Sequence, residues 1–489
     1  MTQTATRYET VIGIEVHAQL LTRSKMFCAC STPTLESAPN THVCPVCLGA
    51  PGMLPVINKA AVELTIMTGL ALNCEIATEA KFDRKNYHYP DLMKGYQISE
   101  YDMPICVNGW LDIEVEGLAK RVGITRVHLE EDTARLQHAT DTATAEPYSL
   151  IDVNRAGMPL MEIVSEPDIR SAEEARAYLQ KLRQVLRYIG ASRANMEEGN
   201  MRCEPNVSIR EPGAEFGQKV ELKNINSFKH AYDAIKFEER RQAEVLETGG
   251  RVLQETRGWR EDTGQAVPQR TKEFAEDYRY FPDPDLPPLV ISREWVDEIR
   301  QRMPELPDAR KERFVTEYGL SVYDAGVLTE TRARADFYEE AVEISGPERA
   351  KSVANWVTGD LARLLNADNR EIGETKVTPQ ALAELIALQE AGTISGKTAK
   401  DVFEQAYATG KTPKALVEEQ GLTQLTSSGE VDASIDKVIA ENEKAVADYR
   451  GGKEEAIKFL VGQVMRETRG RASPDMATQL LKEKLDAKP

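Results

Sequence analysis

Four cysteines stand in two close pairs, Cys28-x-Cys30 and Cys44-Pro-Val-Cys47, with thirteen residues between the pairs. Two thiol pairs joined by a loop are what a tetrahedral ion with four sulfur ligands requires, and the proline and glycine around the second pair suit a zinc knuckle. The spacing predicts a structural zinc on Cys28, Cys30, Cys44 and Cys47, the alternatives being a reversible dithiol or four unrelated buried thiols. Cys74, Cys106 and Cys203 stand alone and read as core residues.

A second kind of ion is suggested by Glu15-Val16-His17, because residues two apart on a strand share a face. Glu130-Glu131-Asp132 and the run from Glu162 through Glu166 to Asp168 lie beside further strand-like stretches. Packed together they would form an oxygen-rich site for magnesium. Separate salt-bridged carboxylates are the commoner outcome of such a pattern, so the residues alone leave both readings open.

Covalent chemistry has no obvious seat. The chain lacks a G-x-S-x-G elbow and an S-x-x-K pattern, so it carries no amidase or glutaminase nucleophile. Gly392-Thr-Ile-Ser-Gly-Lys-Thr398 has three residues between its glycines where a phosphate loop has four, and it follows a helical stretch. It reads as a turn in which Ser395 caps the next helix. The stretch Lys81 to Asp91 interleaves charge with Phe82, Tyr87 and Tyr89; it suits either a stacking surface for nucleotide or RNA or plain packing.

Elements that would hold these groups can be placed by period and punctuation. Alternation predicts strands at Thr10–Val16 and Leu111–Val115. Ser171 with Glu174 forms a capping box ahead of the stripe Leu179, Leu182 and Leu186, and Gly190 stops that helix. A second helix runs from about Phe228 to Glu247 behind Ser227, its charges reading as a solvated face. Prolines in Phe281–Pro288 forbid helix or central strand and mark a boundary. Beyond it, Thr378-Pro379, Thr412-Pro413 and Ser473-Pro474 each set a capping residue before a proline at a first helical position.

The 489 residues exceed one ordinary core, and the pattern divides them into a large mixed domain at 1–295, a helical domain at 296–409 and a helical tail at 410–489. The fold class is therefore α+β. No apolar run approaches the roughly 18 residues of a membrane span, and the chain reads as soluble and cytoplasmic. A net charge of −18 argues against bulk coating of nucleic acid, so RNA contact requires a local patch. The last 39 residues carry eight basic against six acidic groups, and Arg466, Arg469 and Arg471 suit such a patch, or else ordinary helix-end chemistry.

In order, Val11 to His17, Phe82 to Tyr87, Pro90-Asp91, His128 to Asp132, Asn154 to Gly157, Glu162 to Asp168, Met196 to Gly199, Glu221 to Asn224 and Asp277 to Pro282 form long, specific strings spread over the chain. Together they resemble the B-subunit family of glutamine-dependent aspartyl/glutamyl-tRNA amidotransferases. The resemblance implies a cradle domain with the active site, a helical domain and a tail that binds tRNA(Gln), tRNA(Asn) or both. It places Glu15, His17, Glu131 and Glu162 on the magnesium positions, with Glu130 and Asp132 behind them, and sets Arg84, Lys85 and Tyr87 near ATP, Lys85 also at the chemistry. It further implies a heterotrimer with a glutaminase of the amidase type and a third, small protein, and makes the zinc dispensable for the chemistry. A competing reading is a non-catalytic tRNA-binding and assembly protein.

Overall fold

The computed structural model describes residues 7–33, 36–142, 144–271, 278–423, 428–468 and 471–486, which divide into two compact units, Met1–Leu306 and Pro307–Pro489. The first contains the strands β1 (Glu9–Gln19), β2 (Glu75–Ile76), β3 (Glu79–Ala80), β4 (Phe82–Asn86), β5 (Tyr96–Glu100), β6 (Cys106–Val115), β7 (Leu118–Glu131) and β8 (Arg135–Thr140). These are followed by β9 (Pro147–Asp152), β10 (Pro159–Ser165), β11 (Met201–Arg210), β12 (Val220–Lys223), β13 (Glu255–Arg260), β14 (Gln265–Thr271), β15 (Phe281–Pro282) and β16 (Leu289–Val290).

One sheet runs β14-β13-β12-β11-β1-β10-β7-β5-β4-β15, with β6 beside β7 and β2 beside β6. Only β12 and β13 are parallel among its described neighbours. Its two faces follow from alternation along β1. Ile12, Ile14, Val16 and Ala18 are buried, while Gly13, Glu15, His17 and Gln19 point the other way.

The apolar face is covered by α1 (Lys59–Ala71), α2 (Ala172–Tyr188) and α3 (Phe228–Glu247). α2 presents Tyr178, Leu179, Leu182 and Leu186, all fully buried. Each such side chain contributes roughly 1.5–3 kcal/mol through area removed from water. Ser171 Oγ accepts from Glu174 N at 3.1 Å as the capping pattern predicts, but the Glu174 carboxylate reaches one residue further back, to Arg170 N at 2.7 Å.

Two sequence expectations change here. α3 is not wholly a solvated face, since Glu238 is fully buried and pairs with Arg241, and Gln242 beside it donates to Val207 O at 3.0 Å. The proline-rich stretch after Tyr280 is not the end of the unit either. Phe281–Pro282 pairs with β4 at the sheet edge, where a strand can do without a proline donor, and Val296 and Ile299 of the helix Arg293–Gln301 still join the first unit's core.

The second unit is helical. Pro379–Glu390 and Pro413–Gln420 begin at their prolines, with Thr378 and Thr412 accepting from the third residue on, and Pro474–Asp486 likewise begins at its proline. Ser395 caps Gly396–Thr409 by accepting from Thr398 N at 3.2 Å, so the glycine-flanked stretch before it is a helix start, as the sequence indicated. Val431, Ile435, Leu460, Val464, Ala477, Leu481 and neighbours form a separate apolar core near the end of the chain.

Candidate active site

Three adjacent strands bring the chemistry together on the polar face. In the β1–β10–β7 register His17 lies opposite Glu162, and Glu162 opposite His128. His17 Nε2 is 3.2 Å from Glu162 Oε2 and 3.6 Å from Glu130 Oε1, and His128 Nε2 is 3.6 Å from the same Glu162 oxygen. His17, Glu130 and Glu162 each offer a ligand atom within 4.8 Å of the others. Glu130 is buried, and its Oε2 has no hydrogen-bond partner among the described residues. A buried carboxylate oxygen without a partner is costly unless something cationic meets it, so the donor set fits a divalent ion.

The charges are strongly coupled. Burial works against a charged His17, but Glu162 and Glu130 overcome it and raise its pKa to about 9. Glu162 is held well below the usual carboxylate range against its burial by His128, His17 and Lys85. Burial drives the His128 pKa down to about 4. Lys85, on the outward side of β4, reaches this group; burial opposes its charge, and Glu130, Tyr280 and Glu162 raise its pKa nonetheless. Its Nζ stands 5.1 Å from the Tyr278 ring centroid and 6.0 Å from that of Tyr87, and Tyr280 stacks on Tyr101 at 4.0 Å.

Two residues away on β1, Glu15 belongs to a neighbouring acidic group with Glu204 of β11 and Glu221 of β12. Burial and the surrounding carboxylates raise the Glu15 pKa. Lys223 sits 2.7 Å from Glu204 Oε2 and, despite burial, helps hold that carboxyl down at about 2. Asn206 donates to Glu15 Oε1 at 3.2 Å, while its own Oδ1 is buried with no partner among the described residues.

The structure brings His17 and Glu162 together and puts Glu15 in the neighbouring acidic group, but it does not bring Glu131 to them. Glu131 is turned to the opposite side of β7, where its Oε1 accepts from Lys94 Nζ and from Ile98 N at 3.0 Å. Glu130 takes the place beside His17. Asp132, on the Glu130 side, accepts from Gln19 at 2.8 Å and Arg202 at 3.1 Å. Arg84 is likewise not at the site. Alternation on β4 sends it away from Lys85 to bond Asp283 and Asp285, both at 2.9 Å, over the Tyr96 ring at 4.3 Å.

Sequence reading sets Glu130 only behind the ligands, and it leaves His128, Glu204, Asn206, Lys223 and Tyr280 without a role of their own. A signal existed for β11, whose Arg202, Glu204 and Asn206 alternate with Cys203, Pro205 and Val207. Polar residues at every second position of an otherwise apolar strand mark its polar face, the one that here carries the acidic groups.

The four cysteine sulfurs gather near Lys94 and Glu131, all within 4.8 Å of one another, with Cys44 and Cys47 Sγ 3.9 Å apart. Zinc–sulfur bonds of about 2.3 Å put tetrahedral sulfurs about 3.8 Å apart, close to the 3.9 Å between Cys44 and Cys47 Sγ, so the group could hold zinc. Cys44 N donates to Cys47 Sγ at 3.1 Å, stabilising thiolate charge. Of the tail arginines, Arg466 lies on the helix Ala456–Glu467 and Arg471 is described, but Arg469 lies outside the described residues.

A polar sheet face that gathers carboxylates and histidines able to hold a divalent ion, with a lysine beside them, suits a group-transferring catalytic domain. Residues 10–297 match the GatB/GatE catalytic domain, and residues 336–485 match the GatB domain. The chain belongs to the GatB family. It is 57% identical over 479 residues to a Carboxydothermus hydrogenoformans protein named as the B subunit of aspartyl/glutamyl-tRNA(Asn/Gln) amidotransferase, covering 98% of this chain and 99% of that one. Proteins of the same name from Dehalococcoides mccartyi strain CBDB1 and Thermomicrobium roseum are each 55% identical, with the same coverage of both chains.

Proposed function

We propose that this chain is the component of a glutamine-dependent tRNA amidotransferase, a carbon–nitrogen ligase, that amidates Glu or Asp already attached to tRNA. Its substrates are Glu-tRNA(Gln), Asp-tRNA(Asn) or both. The observation that carries the reading is the His17–Glu130–Glu162 group with its unpartnered Glu130 oxygen and Lys85 beside it, in a chain that matches proteins of that name over its length.

A carboxylate does not become an amide in water without activation. The γ-phosphoryl group of ATP passes to the side-chain carboxylate on the tRNA, leaving ADP and an acyl phosphate. Ammonia then attacks the acyl carbon, phosphate departs, and the nitrogen loses its extra proton. A bound magnesium ion would neutralise charge on the transferring phosphoryl group. His17, Glu130 and Glu162 would hold it, with Glu15 beside them, and Lys85 would meet the transferring phosphoryl group with a fixed positive charge. Tyr87, Tyr278 and Tyr280 cover Lys85 and keep water from the acyl phosphate.

No residue here hydrolyses glutamine, so ammonia comes from a glutaminase partner of the amidase type, with a third, small protein completing a heterotrimer. Residues 410–489 serve as the tRNA-binding tail, and the cysteine group binds zinc to brace the loop after β1. No helix among the described residues is long and apolar enough to cross a membrane, in keeping with work in the cytoplasm on tRNA. The test is ATP-dependent amidation of Glu-tRNA and Asp-tRNA by the reconstituted complex with ammonium as the nitrogen source. Amide formation that needs this chain supports the reading; amide formation without it refutes the reading.

A further inference from the structure

Arg202 of β11 lies directly across from His17 in the β1–β11 register. Residues opposite each other on neighbouring strands share a face, so Arg202 stands on the polar side in the same row as the metal set. Its Nη2 donates to Asp132 Oδ1 at 3.1 Å, just past the end of β7. Gln19, two residues beyond His17, donates to the other Asp132 oxygen at 2.8 Å, and Thr133 N donates to Oδ1 at 2.9 Å. Asp132 is buried with both oxygens already accepting, so its part is to hold these neighbours in place.

The cations of this face differ in what they have left to give. Lys223 is occupied by Glu204 at 2.7 Å and Glu221 at 3.6 Å. Arg155 stands 3.8 Å from Asp132 but turns its Nε and Nη2 to Thr133 O and Ala134 O, at 3.0 and 2.8 Å. Arg202 has five N–H donors and makes a single hydrogen bond among the described residues, while its side chain is 38% exposed. Asp132 most of all, with Glu130 and Glu204 after it, holds the Arg202 pKa above the usual arginine value. The guanidinium is therefore tethered at one corner, between the two acidic groups, with donors to spare.

We propose that Arg202 binds the side-chain carboxylate of the Glu or Asp carried on tRNA and sets it beside the metal group. The proposal rests on the amidation reading above. A guanidinium offers paired N–H donors that match the two oxygens of a carboxylate, which the point charge of a lysine does not. Glu15, Glu130, Glu162, Glu204 and Glu221 would repel an incoming carboxylate, so a fixed cation among them lets that substrate come within reach. The same contact tells substrate from product. An amidated side chain is neutral and makes no charge-assisted pair, so it is held less tightly than the carboxylate it replaces.

The experiment measures equilibrium binding of Glu-tRNA(Gln), Gln-tRNA(Gln) and uncharged tRNA(Gln), and of the corresponding Asp, Asn and uncharged forms of tRNA(Asn), to the assembled complex. Magnesium is present and ATP is left out, so that nothing turns over; MgATP affinity is measured separately. Wild type should prefer the carboxylate form to the amide form by about five-fold or more for the tRNA it serves. Arg202→Ala should bring that preference to within about two-fold of unity, with uncharged tRNA and MgATP bound as in wild type, which also shows that the variant has folded. Arg202→Lys keeps a cation beside Asp132 should the alanine variant unfold, and should lose most of the preference because the paired donors are gone. A preference that survives in both variants, or is absent from wild type, would overturn the assignment. Loss of MgATP affinity in place of the preference would also overturn it, by putting Arg202 on the phosphates. Wild type that forms no amide once ATP and ammonium are added would instead overturn the amidation reading beneath it.

Discussion

Glu130 and Glu131 are neighbours on β7 and serve opposite sides of the sheet. Glu130 Oε1 stands 3.6 Å from His17 Nε2, whereas Glu131 accepts from Ile98 N at 3.0 Å beside Lys94. This alternation separates the metal group from the cavity next to the cysteine loop, which Glu131 lines.

Metal affinity should follow that separation. Glu130→Ala removes a ligand and should weaken manganese binding, used as a spectroscopic substitute for magnesium, by about ten-fold or more, while Glu131→Ala should change it by less than about three-fold. Manganese titration followed by electron paramagnetic resonance checks this, and the reverse order of effects would return Glu131 to the site.

Arg84 ties the edge strand to the sheet. Its partner Asp283 has a fully buried side chain, so Arg84→Ala leaves a buried carboxylate uncompensated and should cost roughly 3–5 kcal/mol in denaturant unfolding. The Michaelis constant for ATP should stay near wild type in whatever fraction remains folded. A large rise in that constant with unchanged stability would restore Arg84 as a nucleotide contact.

Stability should also respond to pH through Glu100. Burial raises its carboxyl to about 8 although Ile105 N and Leu129 N both donate to Oε2, at 3.2 and 3.1 Å. Between its unfolded pKa of about 4.3 and about 8 the folded chain binds the extra proton, so this group's contribution is complete at low pH and lost as pH rises through 8. Glu100→Gln keeps an acceptor for both N–H groups and removes the titration. Urea midpoints at pH 5, 7 and 9 should fall less steeply in the variant; parallel curves would contradict the assignment.

The cysteine group predicts one zinc per chain by metal analysis. Cys47→Ser should lower zinc content and melting temperature together, because a structural ion contributes its binding energy to folding. Manganese binding at His17 should persist, since Glu131, which lines the cavity beside Cys47, faces away from the His17 side of β7. Full zinc content in Cys47→Ser would exclude this residue as a ligand.

Much of this is legible in the chain. The cysteine spacing, the shared face of Glu15 and His17, the caps at Ser171, Ser227 and Ser395 and the proline-started helices are local patterns, and local rules place them. Choosing between Glu130 and Glu131 needs the phase of β7 relative to β10, which is set by pairing across nearly 30 residues of intervening chain at its tightest. Arg84 and Lys85 pose the same difficulty, since adjacent residues take opposite faces and only the far partner, Asp283, shows which is the clamp. The stretch after Tyr280 reads as a boundary yet is paired, because an edge strand tolerates the prolines that exclude a central one.

Glu130→Gln keeps the shape of the side chain and removes its charge, and so tests the catalytic role of the metal group most directly. The measurement is ammonium-supported, ATP-dependent amidation of Glu-tRNA and Asp-tRNA by the reconstituted complex, with tRNA binding followed in parallel. Loss of amide formation by about a hundred-fold or more with tRNA still bound is the predicted result. Undiminished amidation would contradict that role and place the chemistry in a partner protein, leaving this chain to hold the tRNA.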